Sequence, residues 1–237
     1  MASKPLGVNK MVLEKLRKNA GQWLMPITKR LVNVSPNTIT WFSMVFAIMA
    51  GISIYFTYMW AYAVLIAFFF GVLNSICDLV DGDLARLTGK TSDVGDFLDH
   101  TFDRYADIAM ILGMILSPLC SVEWGVFAIS GVLLVSYMGT QAQAMGAGRI
   151  YGGLLGRADR MVVLGVVGIG EFLLQLNPQW SIGYEIGGIP VLSNGRFFEI
   201  HLFTIAMIYF ALAGHYTAIY RGVKTYQHLK KMENKKK

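Results

Sequence analysis

Asp78-Leu79-Val80-Asp81-Gly82-Asp83-Leu84-Ala85-Arg86, followed by Gly95-Asp96-Phe97-Leu98-Asp99-His100-Thr101-Phe102-Asp103, sets four regularly spaced carboxylates in a chain that is 54% hydrophobic and only 15% charged. Asp78 and Asp81 are three apart, and Asp99 and Asp103 are four apart. Either interval puts both acids of a pair on one face of a helix. Apolar runs precede the first pair and follow the second, so two membrane helices joined by a short turn would gather four acids in one place. Such a cluster repels itself in a low-dielectric setting. Bound cations relieve that repulsion, and an oxygen-rich site favours hard ions such as Mg²⁺ or Mn²⁺.

Composition agrees with a membrane setting. Soluble domains average about 25% charged residues, whereas this chain of 237 residues has a mean hydropathy of +0.48. The expected fold is all-α: a polytopic bundle of six spans preceded by an amphipathic interfacial helix. Residues 1–36 read as a cytoplasmic juxtamembrane segment, 37–225 as the catalytic bundle and 226–237 as a basic tail. The first 15 residues lack the apolar core of a signal peptide. Cys77 and Cys120 have no metal or redox spacing and read as small buried hydrophobes.

Within 8–32, Lys10, Lys15, Arg17, Lys18, Lys29 and Arg30 alternate with Met11, Leu13, Leu16, Trp23, Leu24 and Leu31. That pattern suits a helix lying on an anionic membrane surface, although a solvated N-terminal helix has a similar signature. Ser35-Pro36-Asn37 is a helix start. The spans follow at 38–58, 61 to the Asp78 motif, 95–119, 124–144, 160–176 and 197–220. Gly82 and Gly89 are expected to break the chain between the second and third. Gly146, Gly148, Gly152, Gly153 and Gly156 are expected to make the fourth connection flexible, and 177–196 forms a long external loop. Every Lys and Arg except Arg196 then falls on one side, as the positive-inside rule requires of the cytoplasmic face. Both termini and the acidic motif belong to that face.

Metal ions, glycines that let a bulky group approach the backbone and Arg86, able to hold a carboxylate or phosphate, together suit a diphosphate. The run D-x2-D-G-x2-A-R-x8-G-x3-D-x3-D, carried by Asp78, Asp81, Gly82, Ala85, Arg86, Gly95, Asp99 and Asp103, resembles the signature of the CDP-alcohol phosphotransferases, integral membrane enzymes of phospholipid synthesis. The resemblance implies transfer of the phosphoryl-bearing alcohol of a CDP-linked substrate to an acceptor hydroxyl, with release of CMP. It implies two divalent ions held by Asp78, Asp81, Asp99 and Asp103, with Asp103 also the general base. Asp78, Gly82, Ala85, Arg86 and Gly95 would line the cytidine pocket. Asn37 and Thr40 match the Pro-Asn-x-x-Thr opening of the first span and would face the nucleotide, or else cap the helix. A homodimer is a further expectation of the resemblance.

Other acids read differently. Asp96 and Asp107 extend the Asp99–Asp103 stripe, Asp107 deeper in the span and paired with a polar neighbour. Asp83 and Asp93 fall off the paired faces and read as solvated. His100 reads as pointing away from the ligands, and His201 and His215 as structural.

The acceptor is sought among Arg149, Arg157, Arg160 and Arg221. They would suit a phosphorylated acceptor such as inositol phosphate or glycerol phosphate, although positive-inside anchoring accounts for each as well. Gly156-Arg157-Ala158-Asp159-Arg160 resembles the Arg-x-Glu-Arg segment of the inositol-phosphate branch. That branch typically has basic residues where Gly139 and Gln141 stand, a departure that admits a neutral acceptor such as serine. The donor is CDP-diacylglycerol or CDP-archaeol, membrane lipids are partners, and no nucleic acid is expected. Two rivals remain: a membrane prenyltransferase, whose acidic motifs usually lie far apart, and a cation channel or transporter, which would need internal repeats.

Overall fold

The computed structural model of the protein describes residues 23–148, 150, 152–176 and 201–236. Most of the basic N-terminal segment, the long loop after 176 and Arg149 therefore lie outside the described residues. All regular structure among those described is helical, as the sequence leads one to expect. The elements are α1 (23–30), α2 (Pro36–Tyr55) with a 3-10 turn at Phe56–Tyr58, α3 (Ala63–Thr88), α4 (Asp93–Leu116), α5 (Val122–Ala144), α6 (Arg157–Leu176) and α7 (Leu202–Lys236). Among the described residues, four segments are long and apolar enough to cross a membrane: Pro36–Tyr58, Ala63–Thr88, Val122–Ala144 and Leu202–Asn234. Helices α4 and α6 have spanning length at 24 and 20 residues, but both carry several charged side chains.

One boundary differs from expectation for an identifiable reason. Gly82 does not end the second span, because α3 continues to Thr88 and its apolar frame tolerates a helical glycine. The turn instead occupies 89–92, where Gly89 supplies a φ of 65°. Helix α7 runs for 35 residues and takes in the basic residues from Arg221 through Lys236. At 1.5 Å per residue that is roughly 52 Å, well beyond a hydrocarbon core of about 30 Å.

The chain divides into two units, Met1–Ile52 with Ile66–Met110, and Ser53–Leu65 with Ile111–Lys237. In the first, α2 and α3 are joined by a buried polar clasp. Asn74 Nδ2 donates to Ser43 O at 3.0 Å and to Ser43 Oγ at 2.8 Å, and such interhelical bonds are worth roughly 0.6–2 kcal/mol in a membrane. Helix α2 also approaches α4 so closely that a β-carbon on Gly51 would overlap the Ala109 carbonyl. Leu24, Leu31 and Val34 pack against Ile39, Val80 and Leu84, while Trp23 and Ile27 remain exposed. Neighbouring faces of α1 thus differ in burial.

In the second unit, α5 runs along α7. Gly131 and Gly214 set the separation: a β-carbon on Gly214 would lie 2.9 Å from the Gly131 carbonyl carbon. Ser130 Oγ lies 3.3 Å from His215 Nε2 beside this crossing, which gives His215 its structural partner. Small residues let membrane helices close in this way. Gly214→Val is expected to force the pair apart at a cost on the order of 1–3 kcal/mol, read as a lower thermal midpoint of the purified protein. An unchanged midpoint would show that the crossing has room to spare.

Both cysteines are free and partly buried. Burial pushes the Cys120 thiol up to about 11, opposed by its hydrogen bond with Thr204. It is therefore a poor nucleophile at neutral pH, consistent with a packing role.

Candidate active site

The carboxylates meet where the end of α3 faces the start of α4. Asp78 and Asp81 occupy one face of α3, and Asp99 and Asp103 one face of α4. Asp81 is 6% exposed, and both Asp78 and Asp99 lie close enough to act on it electrostatically. Asp99, His100 and Asp103 each offer a ligand atom, and those atoms all lie within 4.8 Å of one another. Asp81 of the first pair and Asp99 of the second thus lie near one another. The donor set is dominated by carboxylate oxygens, which fits a hard divalent cation.

Thr40 reaches this cluster from α2. Its Oγ1 donates to Asp81 Oδ2 at 2.8 Å and lies 3.2 Å from the Pro36 carbonyl. It therefore orients a carboxylate of the acidic cluster. Outer-shell partners of this kind tune metal affinity, and their loss typically weakens binding about 10–100-fold. Thr40→Val is expected to raise the Mn²⁺ dissociation constant within that range while the helical content is kept. Calorimetric titration checks this, and wild-type affinity in the variant would remove Thr40 from the site.

Asn37 and Gly95 are brought together. A β-carbon on Gly95 would lie 3.5 Å from Asn37 Oδ1 and 3.3 Å from Ser92 Oγ, and Ser92 Oγ accepts the Gly95 N–H at 3.1 Å. Gly82 and Ala85 are half-buried on α3. Arg86 is exposed and donates to Asp83 Oδ1 at 2.6 Å. The reading of Asp83 as solvated is thereby corrected, because an i, i+3 pair on a helix places the guanidinium over it.

His100 is also corrected. Its Nδ1 lies 3.6 Å from Asp99 Oδ2 and its Nε2 3.8 Å from Asp96 Oδ1, so the ring sits among the acids. Arg104 Nη1 donates to Asp103 Oδ2 at 3.4 Å. Asp107, one turn deeper than Asp103, is 5% exposed.

The arginines named for the acceptor belong to the second unit. Arg157 and Arg160 open α6, the former half-buried and the latter 4% exposed. Asp159 lies between them and accepts the Gly156 N–H at 2.7 Å. Arg221 makes two backbone hydrogen bonds: Nε donates to Gly152 O at 3.1 Å and Nη1 to Val135 O at 2.8 Å. The carbonyl of Gly152 and the amide of Gly156, before α6, are therefore both held by side chains.

Comparison with known proteins bears on this geometry. The sequence model of the CDP-alcohol phosphatidyltransferase family matches residues 33–210. The archaetidylinositol phosphate synthase of Pyrococcus horikoshii is 31% identical over 157 residues, covering 65% of this chain and 80% of that protein. The phosphatidylinositol phosphate synthase of Cutibacterium acnes is 28% identical over 221 residues, covering 90% and 96%. Among solved structures, phosphatidylinositol phosphate synthase from Mycobacterium tuberculosis with CDP-DAG bound shares the fold at a TM-score of 0.61 and 21% identity, over 85% of this chain and 92% of that one. The same enzyme has been solved with manganese and citrate. With the acidic cluster in the signature spacing and the match spanning most of the helices, the chain belongs to the CDP-alcohol phosphatidyltransferase family, membrane transferases of phospholipid synthesis that use Mg²⁺ or Mn²⁺ and release CMP as they transfer the phosphoryl-bearing alcohol of a CDP-linked substrate to an acceptor hydroxyl.

Proposed function

We propose that this protein transfers the phosphatidyl-type group of a CDP-linked lipid to a hydroxyl of a polyol phosphate, with inositol phosphate the leading acceptor and glycerol phosphate next. The observation that carries the proposal is the gathering of Asp99 and Asp103 with Asp81, itself within reach of Asp78. The donor is CDP-diacylglycerol or CDP-archaeol. The bundle has six spans, α4 and α6 included, with both termini and the acidic site at the cytoplasmic face. Residues 1–36 lie along the membrane surface, 37–225 form the catalytic bundle and 226–237 the basic tail. The enzyme is a homodimer.

Asp78, Asp81, Asp99 and Asp103 would hold the divalent ions, two in number. When bound, these ions neutralise the acids, grip the diphosphate and offset charge that develops on the transferred phosphoryl group. Gly82, Ala85, Arg86, Gly95, Asn37 and Asp78 bind the cytidine and diphosphate portions. Asp103 accepts the proton of the acceptor hydroxyl as its oxygen bonds to phosphorus and the bond to CMP breaks.

Arg157 and Arg160, with Arg149 and Arg221, provide the cationic set for the acceptor's phosphate. Gly139 lacks the charge usual in the inositol-phosphate branch, yet Arg221 Nη1 lies only 3.6 Å from where its β-carbon would be. A guanidinium thus stands beside the position that lost a cation, which favours a phosphorylated acceptor. Gln141, also uncharged, favours the second reading, a neutral acceptor such as serine.

The test is CMP release by purified protein with Mn²⁺ or Mg²⁺ and radiolabelled CDP-lipid, offered inositol phosphate, glycerol phosphate or serine. Release with inositol phosphate or glycerol phosphate supports the reading, and release with serine alone moves the assignment to the neutral acceptor. Metal-dependent ion flux without CMP release from any acceptor would overturn the transferase reading.

A further inference from the structure

Helix α7 grips the chain between α5 and α6 at successive points along one side. Tyr209 Oη donates to the Leu154 carbonyl at 3.0 Å. Thr217 is fully buried, and its Oγ1 accepts two consecutive amides, Leu154 N at 2.9 Å and Leu155 N at 3.1 Å. Arg221 holds the Gly152 carbonyl and, through a second nitrogen, the Val135 carbonyl of α5.

The backbone is shaped to reach this seat. Gly153 has φ 104°, and a β-carbon there would overlap Thr217 Cγ2. A side chain at this position would be both strained and obstructed. Leu155 is 1% exposed, and one residue later Gly156 N donates to Asp159 Oδ2 while its carbonyl accepts Arg160 N at 3.2 Å. The grip on the loop therefore passes directly into the first turn of α6, which carries Arg157 and Arg160.

We propose that Thr217 and Gly153 are positioning residues for the acceptor: they seat the loop on α7 and thereby fix where Arg157 and Arg160 meet the acceptor's phosphate. The inference rests on the proposed reading of those arginines as the acceptor's cationic set. A hydroxyl has two lone pairs to share between adjacent amides. Valine at 217 has the same shape but no acceptor, so it leaves both amides unpartnered and frees the loop. A displacement of about 1 Å in a substrate-positioning group can cost about a hundredfold in rate.

The experiment compares wild type with Thr217→Val, Thr217→Ser, Gly153→Ala and Arg157→Gln, using inositol phosphate and glycerol phosphate as acceptors. For each, acceptor KM is measured beside Mn²⁺-dependent CDP-lipid binding without acceptor. Thr217→Val and Gly153→Ala are expected to raise acceptor KM about tenfold or more, with CDP-lipid affinity held within about twofold. Thr217→Ser, which keeps the hydroxyl, is expected to behave as wild type. Unchanged acceptor KM in Thr217→Val, or a serine variant as impaired as the valine one, overturns the inference. So does a parallel loss of acceptor and CDP-lipid affinity. If Thr217→Val does not fold, Gly153→Ala and Thr217→Ser decide by the same criteria. Arg157→Gln separates the two levels: if it raises acceptor KM while the seat variants do not, only the positioning role falls. If Arg157→Gln leaves KM unchanged, or neither acceptor is turned over, the acceptor reading falls and the positioning role with it.

Discussion

Asp81→Asn is expected to abolish Mn²⁺-dependent binding of CDP-lipid. Asp81 is buried, takes the Thr40 hydrogen bond at 2.8 Å and lies within the fields of Asp78 and Asp99. Asparagine preserves volume and can still accept from Thr40, but it lacks the negative charge that favours a hard cation. Without metal the sign reverses. Two neighbouring carboxylates oppose the charge on Asp81, so the metal-free variant should be at least as stable as wild type. Adding Mn²⁺ should then raise the thermal midpoint of wild type, because a ligand of the folded state stabilises by mass action, and leave the variant unmoved. A variant that still gains stability from Mn²⁺ and still binds CDP-lipid would exclude Asp81 from the ligand set.

Asp103→Asn is expected to act on turnover far more than on binding. General base catalysis typically contributes 10²–10⁴-fold, and a loss of about that size in kcat is anticipated, with CDP-lipid affinity changed by only a few-fold. Asp103 lies 3.4 Å from the Arg104 guanidinium and beside the ligand atoms of Asp99 and His100. As the proposed base, Asp103 would act on a hydroxyl polarised by bound metal ions. Comparison of single-turnover rates with equilibrium CDP-lipid binding decides the matter. Equal losses in both would sink the assignment as base and leave Asp103 a ligand alone.

Much of this site was legible in the chain because charge is scarce in it. Four acids at helical intervals between apolar runs leave few arrangements other than convergence on two adjacent helices, and Asp99 of α4 does lie close enough to act on Asp81 of α3. Less legible were contacts made by small polar residues across helices. Thr40 could be seen at the opening of α2, but nothing local shows that its partner is Asp81, 41 residues away. Asn74 and Ser43 lie inside apolar runs and become a clasp only when α2 meets α3. Glycine misled in two ways. Gly82 looked like a breaker, yet the hydrogen bonds of a long apolar helix outweigh its propensity cost of roughly 1 kcal/mol. The glycines from 146 to 156 suggested looseness, but at Gly153 the missing side chain permits close docking on Thr217. Helical angle alone points His100 away from the ligands, whereas an imidazole is long enough to reach acids at both i−1 and i−4.

The polarity of α4 has a consequence for how the protein is made. A helix bearing Asp99, Asp103 and Asp107 is a poor substrate for the insertion machinery, since an aspartate near the middle of a span costs about 2.5–3.5 kcal/mol. On the six-span reading, α4 enters the bilayer only with help, and α2 is placed to give it: at Gly51 no side chain separates the two backbones. Biogenesis and catalysis are then coupled through the same residues. Substitutions at Gly51 should appear first as chains with α4 left outside the membrane, before any effect on chemistry could be read.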